Sequence, residues 1–187
     1  MARSKQYNEQ EVLEKAMSLF WRNGYENTSV RMLEKEMGIN QFSIYSSFGS
    51  KQELFLQSLQ CYKGKISGMF EKFKNANNGM QDIKEFFYDS VQIPIEVGNY
   101  KGCFLTNTYN EFAEAEDQVI NTQMGDFMNG VKDLFIEKLQ QDKTKDAATV
   151  TKQANYLLLA KHGLAAASRV NSKQEIEDYI ELTFNNI

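Results

Sequence analysis

The chain has little of what staples or punctuates many folds. Its 187 residues include one Pro, two Cys and one His. A lone Pro94, with few Asn-Gly or Gly-Pro turn signals, argues against a β-sandwich or barrel, which must reverse direction every few residues. Cys61 and Cys103 are far apart in sequence and predict reduced thiols in a cytoplasmic protein, not a disulfide framework. There is no His/Cys spacing suited to a metal, no Gly-rich phosphate loop and no nucleophile elbow. The expectation is therefore no metal, no cofactor and no enzyme. His162, deep in a helical run, is expected to be a packed or interface residue. No apolar run approaches the roughly 20 residues of a membrane span. The polar start, Met1 to Gln10, predicts no secretory signal and no membrane partner.

What remains is a helix-forming mixture rich in Glu, Lys, Gln, Leu and Met. Helices are predicted over about 9–23, 29–37, 41–47, 50–74, 81–98, 103–115, 118–141, 146–169 and 173–185. The expected fold is all-α, with about nine helices. Asn8 is placed to cap the first, Thr28 the second and Asn40 the third; Ser50 and Glu53 form a capping box, and Asp146 and Ser172 are further caps. Gly24 and Gly38 stop the first two helices. Leu13, Ala16, Met17 and Phe20, then Val30, Leu33 and Met37, then Ile44 and Phe48 are predicted to face one core. Pro94 should kink or end its helix.

Two short helices joined through Gly38-Ile39-Asn40, with a third packed across them, have the outline of a helix-turn-helix head. The charge is unusual for such a head. The net charge is −4, from 21 basic and 25 acidic residues. Residues 1–51 hold seven basic and six acidic side chains, which leaves 14 and 19 for the rest. A head near +1 on a body near −5 must gain affinity from placed contacts rather than bulk attraction.

Residues 24–55 carry Gly24-Tyr25, Thr28-Ser29, Gly38-Ile39-Asn40, Tyr45, Phe48, Lys51 and Glu53-Leu54 in one order and spacing. This resembles the signature of the TetR family of transcriptional regulators. The resemblance implies a helix-turn-helix DNA-binding domain over 1–48 and a helical ligand-binding and dimerisation domain over 49–187. It further implies a homodimeric repressor that binds double-stranded operator DNA and is released by a small-molecule effector. An activator, a ligand-independent regulator and a protein-binding adaptor without DNA binding are the alternatives.

In that setting the start of the third helix reads base edges. Gln41 suits adenine, Ser43 discriminates less, and Phe42 can pack on a thymine methyl. Thr28 and Ser29 open the second helix, where free amides and the dipole favour a phosphate. Tyr45 offers a hydroxyl and Lys51 a charge. Asn40 lies in the turn, and Ser46 and Ser47 occupy positions that are often aromatic or His in the family. Arg3 and Lys5 form either an arm toward DNA or a frayed terminus.

The body is rich in aromatics, and the resemblance implies a pocket among its middle helices. Phe70, Phe86, Phe87, Phe104, Tyr109, Phe127 and Met128 are the candidate lining, and Asn107, Asn110 and Glu111 the candidate polar anchors. They suit an aromatic or lipophilic compound. Dimerisation is expected through the last two helices, along Ala154, Leu157, Leu158, Lys161, Leu164, Ala165 and Ser168 on the first, and Ile176, Tyr179, Ile180 and Phe184 on the second. Cys103, after Gly102 and near Lys101, is a candidate sensor thiol. Gly64 and Gly68 mark either a bend or close packing in the fourth helix.

Overall fold

A computed structural model describes residues 7–96, 102–115, 117–185 and 187, with the side chains of 93–96 left aside. Arg3, Lys5 and Lys101 lie outside the described residues. Among those residues there are nine helices and no strand: α1 (Glu9–Asn23), α2 (Val30–Met37), α3 (Gln41–Phe48), α4 (Lys51–Asn75), α5 (Met80–Glu96), α6 (Phe104–Glu111), α7 (Gln118–Leu139), α8 (Ala147–Ala167) and α9 (Lys173–Asn185). The all-α expectation is met. No helix among the described residues is long and apolar enough to cross a membrane.

Local chemistry sets most helix ends. The Asn8 side chain accepts from Gln10 N–H (2.9 Å) and Glu11 N–H. Asn40 Oδ1 accepts from Ser43 N–H (2.8 Å) and Asp146 Oδ1 from Thr149 N–H (2.8 Å). The Ser50/Glu53 box closes both ways: Ser50 N–H donates to Glu53 (2.6 Å) and Glu53 N–H to Ser50 Oγ (3.1 Å). Ser172 and Glu175 repeat that reciprocal arrangement at α9.

Some ends differ from expectation. The cap of α2 is Ser29, whose hydroxyl accepts from Met32 N–H (3.2 Å), because the Thr28 hydroxyl is turned inward and donates to Gly24 O (2.6 Å). Helix α6 stops at Glu111 rather than about 115, with Phe112 buried and the Ala115 carbonyl taken by the Asn121 side chain (2.8 Å). Helix α5 runs past Pro94 to Glu96; the expected remainder, 97–98, falls outside the described residues.

The chain divides into two compact units, Met1–Lys65 and Ile66–Ile187. The division falls inside α4, later than the boundary expected at 48/49. The first half of α4 completes the head's core: Phe55 meets Phe20 edge-on at 5.0 Å, and Tyr62 meets Trp21 at 4.9 Å. Val12, Ala16, Met17, Leu33, Met37, Ile44 and Phe48 fill the rest. Two ion pairs brace this core from outside, Arg22–Glu36 (2.6 Å) and Lys65–Glu14 (3.0 Å). Gly38 turns α2 into α3 at φ +73°, a left-handed conformation that a β-carbon disfavours.

The second unit is built around phenylalanines. Phe73 stacks on Phe86 at 4.6 Å, and Phe135 meets both at 6.0 Å; Phe87 packs edge-on against Phe184 at 5.0 Å. Lys138 is buried at the same place. Its ammonium donates to Lys74 O (3.0 Å) and Ala76 O (2.5 Å), closing carbonyls at the end of α4. β-Carbons added at Gly64 and Gly68 would meet nothing within 4 Å among the described residues.

Candidate nucleic-acid interface

The head presents α3 with its back sealed and its front open. Ile44 and Phe48 are buried, while Asn40, Gln41 and Ser46 are exposed, Phe42 is 82% exposed, and Ser43, Tyr45 and Lys51 are half-buried. An aromatic ring so far out of the core gains nothing from folding, so its apolar surface is free for a partner. Ser29 is exposed at the start of α2. Thr28 is not: it is wholly buried and its hydroxyl is spent on the Gly24 carbonyl, so it serves the turn rather than the surface.

Three side chains that sequence reasoning passed over or left without a partner organise this front. Glu34, on α2, accepts the Gln41 N–H that opens α3, at 2.6 Å. The Tyr7 hydroxyl contacts Ser47 Oγ (2.7 Å) and donates to Ser43 O (3.3 Å), tying the chain before α1 to the far end of α3. Tyr25 holds Lys51, whose ammonium stands over its ring. The Gly-aromatic pair at 24–25 was visible in the sequence; the Glu34 and Tyr7 contacts, across 7 and 36 residues, carried no local signal.

In the body, the candidate ligand residues separate into two groups. Phe86 and Phe87 belong to the packed core, flanked by half-buried Phe70 and Phe127, with Phe70 at 5.2 Å from Phe86 and 5.7 Å from Phe127. Tyr109 and Met128 instead meet at His162: the rings are 5.6 Å apart, and His162 Nε2 lies 3.2 Å from Met128 Sδ. Phe104 is buried, Asn107 and Glu111 are half-buried, and Asn110 is exposed. Burial pushes the His162 pKa down, and the charge of Lys161 pushes the same way. Two buried polar atoms, Thr108 Oγ1 and Gln123 Oε1, have no hydrogen-bond partner among the described residues.

Cys103 is the half-buried residue before α6 and makes no side-chain cap bond. Gly102, at φ +71°, lies so close to the Ala165 carbonyl of α8 that a β-carbon would collide with it. One turn earlier on α8, Lys161 is buried; desolvation drives its pKa down, and Cys103 opposes the shift.

Most residues of the expected dimer stripe are covered within the chain itself. Ala154, Leu157 and Leu164 on α8, and Ile176 and Ile180 on α9, are buried in the chain's own core. Lys161 and Ala165 are buried too, Leu158, Ser168 and Phe184 are half-buried, and Tyr179 is exposed. The open apolar face of α8 is a different one, Tyr156, Leu159, Gly163 and Ala166, continuing to Val170; Tyr179 and Leu182 are exposed on α9. Both α8 faces have helical spacing, and packing with α5, α7 and α9 selects which one is covered.

Residues 12–57 match the model of bacterial regulatory proteins of the tetR family. The chain is 24% identical to the uncharacterised HTH-type transcriptional regulator YezE of Bacillus subtilis, over 99% of this chain and 98% of that one. It is 26% identical to the HTH-type transcriptional repressor ComR of Escherichia coli, over 64% of this chain and 58% of that protein. Its fold matches that of the TetR-family regulator CifR, a cysteine mutant solved with a 26-bp double-stranded operator, at a TM-score of 0.84, 21% identity and 98% coverage of both chains. Residues 12–57 thus carry a tetR-family domain, and along its length the chain is similar to TetR-family transcriptional regulators in fold.

Proposed function

We propose that the chain is a homodimeric repressor that binds double-stranded operator DNA through α3 and leaves it when a small aromatic or lipophilic molecule enters the body. The observation that carries this reading is the front of α3. Polar Gln41, Ser43 and Ser46 and the outward Phe42 ring stand on a helix whose other edge is buried, as a base-reading helix requires. Ser29, Tyr45 and Lys51 surround it with groups suited to phosphate. The relatives include a named repressor and a regulator solved on operator DNA, which supports the same reading.

Two further features bear on the dimer and the ligand. Tyr156, Leu159, Gly163 and Ala166 recur at three- and four-residue spacing along the exposed face of α8, with Val170 just beyond its end and small residues where a second helix can approach closely. A second copy is the partner we assign to this face. For the ligand, the aromatic residues of the body and the buried Thr108 Oγ1 and Gln123 Oε1, which have no hydrogen-bond partner among the described residues, are the two kinds of group that an apolar pocket with a few polar anchors needs. A gel shift on the chain's own upstream DNA, with and without candidate aromatic compounds, tests the whole reading. Specific binding abolished by one such compound supports it; no binding to any upstream duplex overturns it.

A further inference from the structure

Of the amides that open α3, the chain takes two for itself. Ser43 N–H goes to the neutral Asn40 side chain, at 2.8 Å, and Gln41 N–H to the carboxylate of Glu34, at 2.6 Å. The start of a helix attracts anions, because its amides are unpaired and the backbone dipole is positive there. On DNA, the anion on offer is a phosphate, and a phosphate bonded to backbone amides carries no sequence information. In α3 an internal carboxylate already occupies that place. The neighbouring α2 differs: it opens on the uncharged Ser29 hydroxyl, which holds Met32 N–H at 3.2 Å, with Arg31 beside it.

We propose that Glu34 is a specificity-determining residue: its carboxylate on Gln41 N–H keeps phosphate off the start of α3 and leaves DNA to be engaged there by the side chains of Gln41, Phe42 and Ser43. This rests on the DNA-reading role given to α3 above. Glu34 touches no base; it acts through the amide it occupies and the charge it holds beside Gln41. The weak overall charge of the head fits this device, since residues 1–51 hold one basic side chain more than acidic ones and cannot afford a generic grip if binding is to be selective.

The test compares wild type, Glu34→Gln and Glu34→Ala on two duplexes of equal length, one from the chain's own upstream DNA and one of random sequence, across a salt series. Gln keeps an acceptor for the Gln41 amide and removes the charge; Ala removes both. Both variants should gain affinity for the random duplex, Ala more than Gln, with little change on the upstream duplex. Their salt dependence on random DNA should steepen by about one phosphate, a roughly threefold larger loss of affinity over a fourfold rise in salt. Thermal unfolding of Glu34→Gln should match wild type, which separates the effect from loosening of the turn. Unchanged salt slopes, or equal losses on both duplexes, overturn the proposal and leave Glu34 a structural brace. A wild-type chain that fails to distinguish the duplexes overturns the DNA reading itself, and the role of Glu34 with it.

Discussion

The Lys51 ammonium stands 4.2 Å from the centroid of the Tyr25 ring. Tyr25 is itself wedged against Phe55, at 4.9 Å, and stacked on Phe20, at 6.2 Å. A flexible lysine at the start of α4 is thus held by a ring anchored in the head's core. Lys51→Ala should weaken all DNA sequences alike and flatten the salt dependence by about one phosphate. Tyr25→Leu should cost about 0.5–1 kcal/mol of binding by releasing the cation. Titrations over a salt series measure both, and a Lys51→Ala slope equal to wild type would remove this residue from the phosphate role.

Gln41 and Phe42 are exposed side chains at the start of α3. Gln41→Ala should relax discrimination at one base pair by roughly 1–3 kcal/mol, and Phe42→Ala should lower preference at a thymine. A panel of single-base substitutions in the upstream duplex shows this directly. Equal losses on upstream and random DNA would show that Gln41 does not read sequence.

Leu159 and Leu164 lie on opposite sides of α8: the first is 70% exposed, the second wholly buried. Leu164→Glu places a charge in the core and should prevent folding. Leu159→Glu should leave a folded chain that sediments as a monomer and loses operator binding, because two half-sites need two heads. A folded Leu159→Glu dimer would place the interface elsewhere.

Lys138→Met keeps the length of a buried side chain while leaving the carbonyls of Lys74 and Ala76 without their cation. Bonds to a charged donor contribute about 1.5–3 kcal/mol. Chemical denaturation should show a loss of that order, with an unchanged slope against denaturant; stability equal to wild type would show that the methionine's packing compensates fully.

His162 is the single histidine, and burial, reinforced by the Lys161 charge, holds its pKa below the ordinary 6.5. A depressed pKa means that the unfolded chain binds the proton more readily. The stability contributed by neutral His162 is therefore present above about pH 6.5 and is lost as pH falls through the lowered value. The melting temperature of wild type should decline on acidification in that range, and that of His162→Gln should decline less. Parallel curves would mean that other groups carry the acid sensitivity.

Much of this protein was legible in its sequence because much of it is local. Asn8, Asn40, Ser50 with Glu53, Asp146 and Ser172 mark helix starts, since a cap bonds amides two or three residues away. The outward edge of α3 could be read from the apolar pair Ile44 and Phe48 alone. Thr28 and Ser29 could not be told apart, because either hydroxyl can cap α2 and only the turn at Gly24 draws Thr28 inward. Other features needed the assembled fold. Helix α8 carries two apolar stripes, and periodicity does not say which one its own chain will cover. The stripe through Leu157 and Leu164 went to the core and the stripe through Leu159 stayed open because α5, α7 and α9 pack on one side. The carboxylate of Glu34 meets the amide of Gln41 only once Gly38 has folded α3 back against α2. Sequence sets propensities and faces over a few residues; which face meets which partner is decided by packing that no single segment contains.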